Sequence, residues 1–198
     1  MIITSWNIRG LNSKGKQRYL KERLRKDKPG IAIIQETKIT MQQMERIIKK
    51  LKIQYEVMGQ DAIGTVGGLA IMWNSEEIIF ENWTSLPRIL TGSCRVIGSA
   101  ERVLISGVYG PHIAGDREIF INNLKEVKGL YPEMPWIVGG DFNLIRTLDE
   151  KKAGIRRTDQ FMDMFNDMIS EQRLVDMQTI NGIFTWNNHR GGKNQIAS

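Results

Sequence analysis

An α/β fold is predicted for this 198-residue chain by three features of its sequence. Short apolar runs of strand length alternate with longer stretches whose apolar residues recur at helical spacing. Between residues 55 and 109, five strand-like runs follow one another with glycine punctuation, a hairpin pattern that predicts a mixed sheet. No repeat, low-complexity tract or Pro/Ser-rich linker interrupts the alternation. A chain of this length with 41% hydrophobic residues suffices for one sizeable core, so a single domain over residues 1–198 is expected.

The elements follow in order. Residues 2–6 are a short apolar strand that ends at Asn7. After a turn at 10–13, Tyr19, Leu20 and Leu24 fall at helical spacing until Lys28-Pro29-Gly30 stops the helix. A buried-type strand at 31–34 ends at Gln35-Glu36. Thr40 with Gln43 predicts a capping box, and Met41, Met44, Ile47, Ile48 and Leu51 form one core-facing stripe behind it. Strands are predicted at 55–58, 69–73, 78–83, 88–97 and 103–109. Asp116 is a predicted cap for a helix carrying Phe120, Leu124 and Val127, and residues 129–135 lead into a strand at 136–138. A last helix, starting near residue 158, turns Phe161, Phe165, Met168 and Ile169 inward. A strand starts at Phe184-Thr185-Trp186, followed by a turn at Arg190-Gly191-Gly192.

Composition narrows the function. The formal charge of +6 is unevenly spread: residues 1–52 hold 14 basic and 4 acidic side chains, leaving the remainder net negative. A local basic excess attracts polyanions, which fits a nucleic-acid partner, although runs such as residues 21–26 also serve as the solvated face of a helix. The one cysteine, Cys94, and the two histidines, His112 and His189, make neither an internal disulfide nor a zinc-finger pattern. A reducing compartment is expected. The start MIITSWNIRG lacks the charged and apolar segments of a signal peptide, and no run approaches 18 apolar residues, so neither secretion nor membrane spanning is expected.

Four apolar strands finish in residues able to hold a metal or a phosphate: Asn7, Glu36, Tyr109 and the pair Asp141/Asn143. Strand ends along one edge are where α/β proteins gather sites from distant parts of a chain. Each residue alone has an ordinary role, as a turn residue or a half-buried strand position. Their conjunction is the signal. A hard cation such as Mg²⁺ takes carboxylates, waters and substrate phosphate, and Glu36 and Asp141 supply that chemistry without sulfur or imidazole. Phosphodiester cleavage needs offset charge, an in-line water and a stabilised leaving oxygen, work that carboxylates, carboxamides and a phenol can divide.

Residues 5–11 (SWNIRGL), 34–38 (IQETK), 108–112 (VYGPH) and 140–143 (GDFN) resemble, in order, the successive signatures of the endonuclease/exonuclease/phosphatase superfamily. Residues 67–74 (GGLAIMWN) and the segment from Phe184 to Ser198 resemble the endonucleases of LINE-type, non-LTR retrotransposons, especially plant elements, more than the abasic-site repair branch. The resemblance implies a four-layer α/β sandwich, two mixed β-sheets face to face with helices outside, as in DNase I-like proteins. It implies cleavage of DNA phosphodiesters with Mg²⁺, or Mn²⁺, leaving a 3′ hydroxyl. By position, Glu36 would be the main metal ligand with Asn7 supporting metal and phosphate. Asp141 would orient or deprotonate water, Asn143 would hold Asp141 and the phosphate, and Tyr109 would contact the scissile phosphate. His112 stands where much of the family has Asn, as a phosphate donor or an ordinary loop histidine. Thr185 and Trp186 fall in the region that approaches nucleic acid in relatives.

Relatives continue past Ile-Ala-Ser into an Arg-x-Asp-like strand and a final Ser-Asp-His, motifs that residues 1–198 do not contain. The resemblance therefore implies a chain lacking the last strands, with weak nicking, marginal stability and a tendency to self-associate through open sheet edges. An intracellular, and for genomic DNA a nuclear, setting follows. The alternatives are a noncatalytic nucleic-acid-binding remnant and a phosphoesterase of the same fold acting on lipid or inositol phosphates.

Overall fold

The computed structural model describes residues 1–64, 66–150 and 160–177. One mixed sheet has the order β1 (Ile3–Asn7), β2 (Ile31–Gln35), β4 (Val66–Trp73), β3 (Glu56–Ile63), with β1 parallel to β2 and the other pairs antiparallel. A second has the order β5 (Ile78–Leu86), β6 (Ile89–Val96), β7 (Val103–Tyr109), β8 (Trp136–Asp141), with only β7 and β8 parallel. The helices are α1 (Lys14–Asp27), α2 (Met41–Leu51), α3 (Arg117–Leu130) and α4 (Gln160–Glu171).

Strand periodicity builds the four layers. In β2, Ala32 and Ile34 face Leu20, Leu24, Met44, Ile47 and Ile48 of the first two helices, whereas Ile31 and Ile33 face the other sheet. In β7, Leu104 and Val108 face Phe120, Leu124 and Phe165 of the last two helices, and Ile105 faces inward. Three apolar interfaces thus separate helices, sheet, sheet and helices. Gly107 and Gly139 pair across β7 and β8, and a Cβ at either would press on Ile33 of the opposite sheet. Lacking side chains there, the two sheets approach closely.

The capping box forms, with the Thr40 hydroxyl accepting from Gln43 N and the Gln43 side chain accepting from Thr40 N. Other expectations are corrected. Asp116 makes no side-chain cap: a 3-10 turn, Ala114–Asp116, runs into α3, so Asp116 is already helical and its carboxylate lies 3.8 Å from Arg88. The strand expected at 55–58 runs on to Ile63, through residues without an apolar pattern. They stay because Asp61 accepts Met41 N at the start of α2 and Gln60 donates to Ile89 O in the second sheet. Of the residues at helical spacing in α1, Leu20 and Leu24 are buried and Tyr19 is half exposed, its ring edge on Trp6 at 5.1 Å. The segment at 184–192, with Thr185, Trp186 and His189, lies outside the described residues. Among the described residues, no helix is long and apolar enough to cross a membrane.

Candidate active site

Parity along the strands explains how residues from two sheets meet. Ile3 of β1 and Ile105 of β7 face the space between the sheets, so Asn7 and Tyr109, each an even number of positions on, face it too. In β8, Trp136 and Val138 pack on the outer helices, which turns Asp141 inward. Register does the rest, because Tyr109 is paired with Asp141, and Asn7 with Gln35 beside Glu36.

At this end of the sandwich the Asn7 amide nitrogen donates to Glu36 Oε1 at 3.1 Å and to Asp141 Oδ2 at 2.9 Å. The two carboxylate oxygens are therefore separated by no more than the sum of 3.1 and 2.9 Å, near enough to serve one hydrated cation. Tyr109 OH donates to Glu36 Oε1 at 2.8 Å and lies 3.0 Å from His112 Nε2. Asp141 Oδ1 accepts from Asn143 N at 3.2 Å, while Asn143 Nδ2 donates to Gly110 O at 2.7 Å. All six residues named from the sequence, His112 included, thus belong to one hydrogen-bonded group.

The local backbone is built for it. Glu36 lies just past β2 with φ of 50°, a left-handed conformation that costs a non-glycine residue about 1–3 kcal/mol and persists only where neighbours enforce it. Here they do. Glu36 O accepts Gly10 N at 2.6 Å, and Thr37 N and Lys38 N donate to Gly68 O and Gly67 O at the start of β4. Gly68 itself has φ of +85°, and a Cβ there would collide with the Thr37 hydroxyl. Asn143 is left-handed as well, which lets its backbone N–H turn back onto Asp141.

Two residues not placed in the site from the sequence complete the arrangement. Lys38 Nζ lies 3.4 Å from Glu36 Oε2. Lys16 Nζ donates to Ile8 O at 3.0 Å and to Arg9 O, holding the turn whose Arg9 N–H donates to Asn7 Oδ1 and fixes that amide. Lys38 was legible in principle as a cation two residues beyond the candidate ligand. Lys16 was not, because its partners are backbone carbonyls.

Burial raises the pKa of the Glu36 carboxyl, but hydrogen bonds from Asn7 and Tyr109 and the Lys38 charge outweigh it, leaving the net value below the ordinary 4.5. Burial and the adjacent Glu36 charge push the Tyr109 phenol well above its ordinary 10.0. The site thus holds an ionised carboxylate beside a protonated phenol at neutral pH. The carboxylate oxygens of Glu36 and Asp141 are donors of the kind a hard divalent cation takes. Among the described residues, no group of three or more His, Cys, Asp or Glu side chains gathers around one point.

Residues 4–194 match the model of the Endonuclease/Exonuclease/phosphatase family. Among solved structures, the endonuclease domain of TRAS1, a telomere-specific non-LTR retrotransposon, superposes with a TM-score of 0.72 at 20% identity, over 99% of this chain and 80% of that one. An AP endonuclease from Archaeoglobus fulgidus gives 0.65 at 16% identity, over 86% and 71%. Humanized D. rerio TDP2 gives 0.56 at 18% identity over 72% of this chain, which spans 66% of the TDP2 chain. Comparison with curated protein sequences returns no match.

Proposed function

Since the chain belongs to the endonuclease/exonuclease/phosphatase family, we propose that it hydrolyses DNA phosphodiesters as an endonuclease, with Mg²⁺ or Mn²⁺ held at Glu36. The observation that carries this reading is that Glu36 of one sheet and Asp141 of the other share a single Asn7 amide. A divalent cation bound there supplies charge to offset the phosphate and to stabilise the leaving oxygen.

The chain's own residues do the remaining work. Asp141, kept in place by Asn7 and by Asn143 N, orients and deprotonates the attacking water. Asn143 braces Asp141 against Gly110 and offers its amide to the phosphate. Tyr109, held protonated, turns its one O–H from Glu36 to a phosphate oxygen when substrate is bound, and His112 beside it supplies a second donor. Asn7 presents its NH₂ to both carboxylates while its oxygen takes the Arg9 N–H, so it supports the cation by aligning the acids around it. The basic excess of residues 1–52 favours a polyanion as substrate over a small phosphomonoester. With genomic DNA as substrate, the protein works in the nucleus.

The test is nicking of supercoiled plasmid. Conversion to open circles that requires Mg²⁺ and falls by about 10²-fold or more in Glu36→Gln supports the reading. Equal nicking by Glu36→Gln, or hydrolysis of inositol phosphates with none of DNA, contradicts it.

A further inference from the structure

A shallow groove of about 270 Å³ runs between the start of α1 and the exposed flank of α2. Its floor is apolar, made by the buried Leu11, Ile39 and Ile47. Its rim is polar, with Asn12, Gln17, Gln43, Arg46 and Lys50. On α2, Gln43, Arg46, Ile47 and Lys50 fall at spacings of three, four and seven, so they line one face of the helix.

The rim is partly committed, and what is left over points to an anion. Asn12 Nδ2 donates to Lys38 O, Gln17 Nε2 to Leu11 O, and Gln43 Oε1 accepts Thr40 N. The Gln43 NH₂ remains as a donor beside two cations, Arg46 and Lys50, that pair with no acid among the described residues. No carboxylate lines the groove. A long cationic side chain turned over an apolar floor with no acid beside it is arranged for a phosphate from outside.

Position connects the groove to the catalytic centre. Glu36 and Ile39 are three residues apart, which limits their separation to about 10 Å of chain. We propose that this groove is a second phosphate subsite, in which Arg46, Lys50 and Gln43 hold the DNA backbone at a phosphate other than the one at the bond to be cut. The inference rests on the DNA-cleaving reading above, and it replaces a diffuse N-terminal field with a defined contact.

Binding of a fluorescent 20-base-pair duplex, measured by anisotropy in EDTA over a range of salt concentrations, tests it. In the double variant Arg46→Ala/Lys50→Ala, affinity near 0.1 M salt should fall at least about tenfold, and the slope of log K against log salt should lessen by about 0.9 to 1.8. The control variant Arg25→Ala/Lys26→Ala removes the same charge from the far end of α1 and should change affinity by less than about twofold. All four side chains lie on helices and are exposed, so alanine there preserves the fold. Equal losses in both variants would leave only a diffuse field and overturn the subsite, as would an unchanged slope in the first. In either case DNA binding by the unaltered chain survives, together with the endonuclease reading. Absence of DNA binding by the unaltered chain removes both.

Discussion

Strands β2 and β8 each deliver one carboxylate to the site, yet they are built differently. All five residues of β2 are buried, because β1 and β4 flank it and apolar layers cover both faces. Within its described sheet, β8 bonds only to β7, and most of its residues are half-buried. Glu36 therefore stands on a fixed support, with its strained backbone clamped by Gly10, Gly67 and Gly68. Asp141 owes its position mainly to polar contacts with Asn7 and Asn143, besides the Gly110 N–H on its carbonyl at 2.6 Å. A site shared by a packed strand and a strand with one partner among the described residues should respond asymmetrically to damage: core truncation weakens the Glu36 side, and loss of polar contacts weakens the Asp141 side.

The largest effect should come from the core beneath Glu36. Ile33→Ala, at a position with 0% exposure, should cost about 2–5 kcal/mol in urea unfolding. Ile137→Ala in β8, at 37% exposure, should cost under about 1 kcal/mol. Equal losses would erase the comparison. Next, Gly68→Ala should cost about 1–3 kcal/mol, because the added methyl strikes Thr37 and the backbone there is left-handed. A neutral result would mean that the clamp on Glu36 yields easily. Smaller again, Thr40→Ala should cost about 1 kcal/mol by opening the capping box behind the Glu36 loop, also read by urea unfolding.

The pH dependence should be the mildest effect, and it has a sign at each end. The folded-state pKa of Glu36 is lowered, so its contribution to stability is complete above the ordinary 4.5 and is lost as pH falls through the lowered value. That of Tyr109 is raised, so its contribution is complete below the ordinary 10.0 and is lost as pH rises toward the folded-state value. Stability curves of Glu36→Gln and Tyr109→Phe against pH should therefore show, respectively, a weaker acid and a weaker alkaline limb than the unaltered chain, the rest of the alkaline limb coming from Tyr55 and Cys94, whose pKa values burial also raises. Curves parallel to it would contradict these assignments.

What could be read from the sequence depended on whether a residue's role was repeated along the chain. The four layers were legible because β2, β4 and β7 are rich in apolar residues and α2 carries a stripe, signals spread over many residues. The polar second half of β3 was not, since Gln60 and Asp61 are held by long-range side-chain hydrogen bonds that leave no period. Asp116 misled for the opposite reason: its residue type suits a cap, but the preceding turn had already begun the helix. In the site, residues at strand ends could be named, whereas Lys16 acts through backbone carbonyls, which no side-chain pattern reports.

Glu36 and Asp141, brought by different sheets and aligned by Asn7, are proposed to flank one cation. Titration of the metal-free protein with Mn²⁺, followed by calorimetry, tests this without reference to DNA or turnover. One weak site per chain is expected, weakened further by at least about tenfold in Glu36→Gln and in Asp141→Asn, with the double variant little worse than either single one. Asn7→Ala should weaken it less, since both acids remain. Undiminished binding in Glu36→Gln or in Asp141→Asn, or independent additive losses from the two, would mean that the carboxylates do not share a cation.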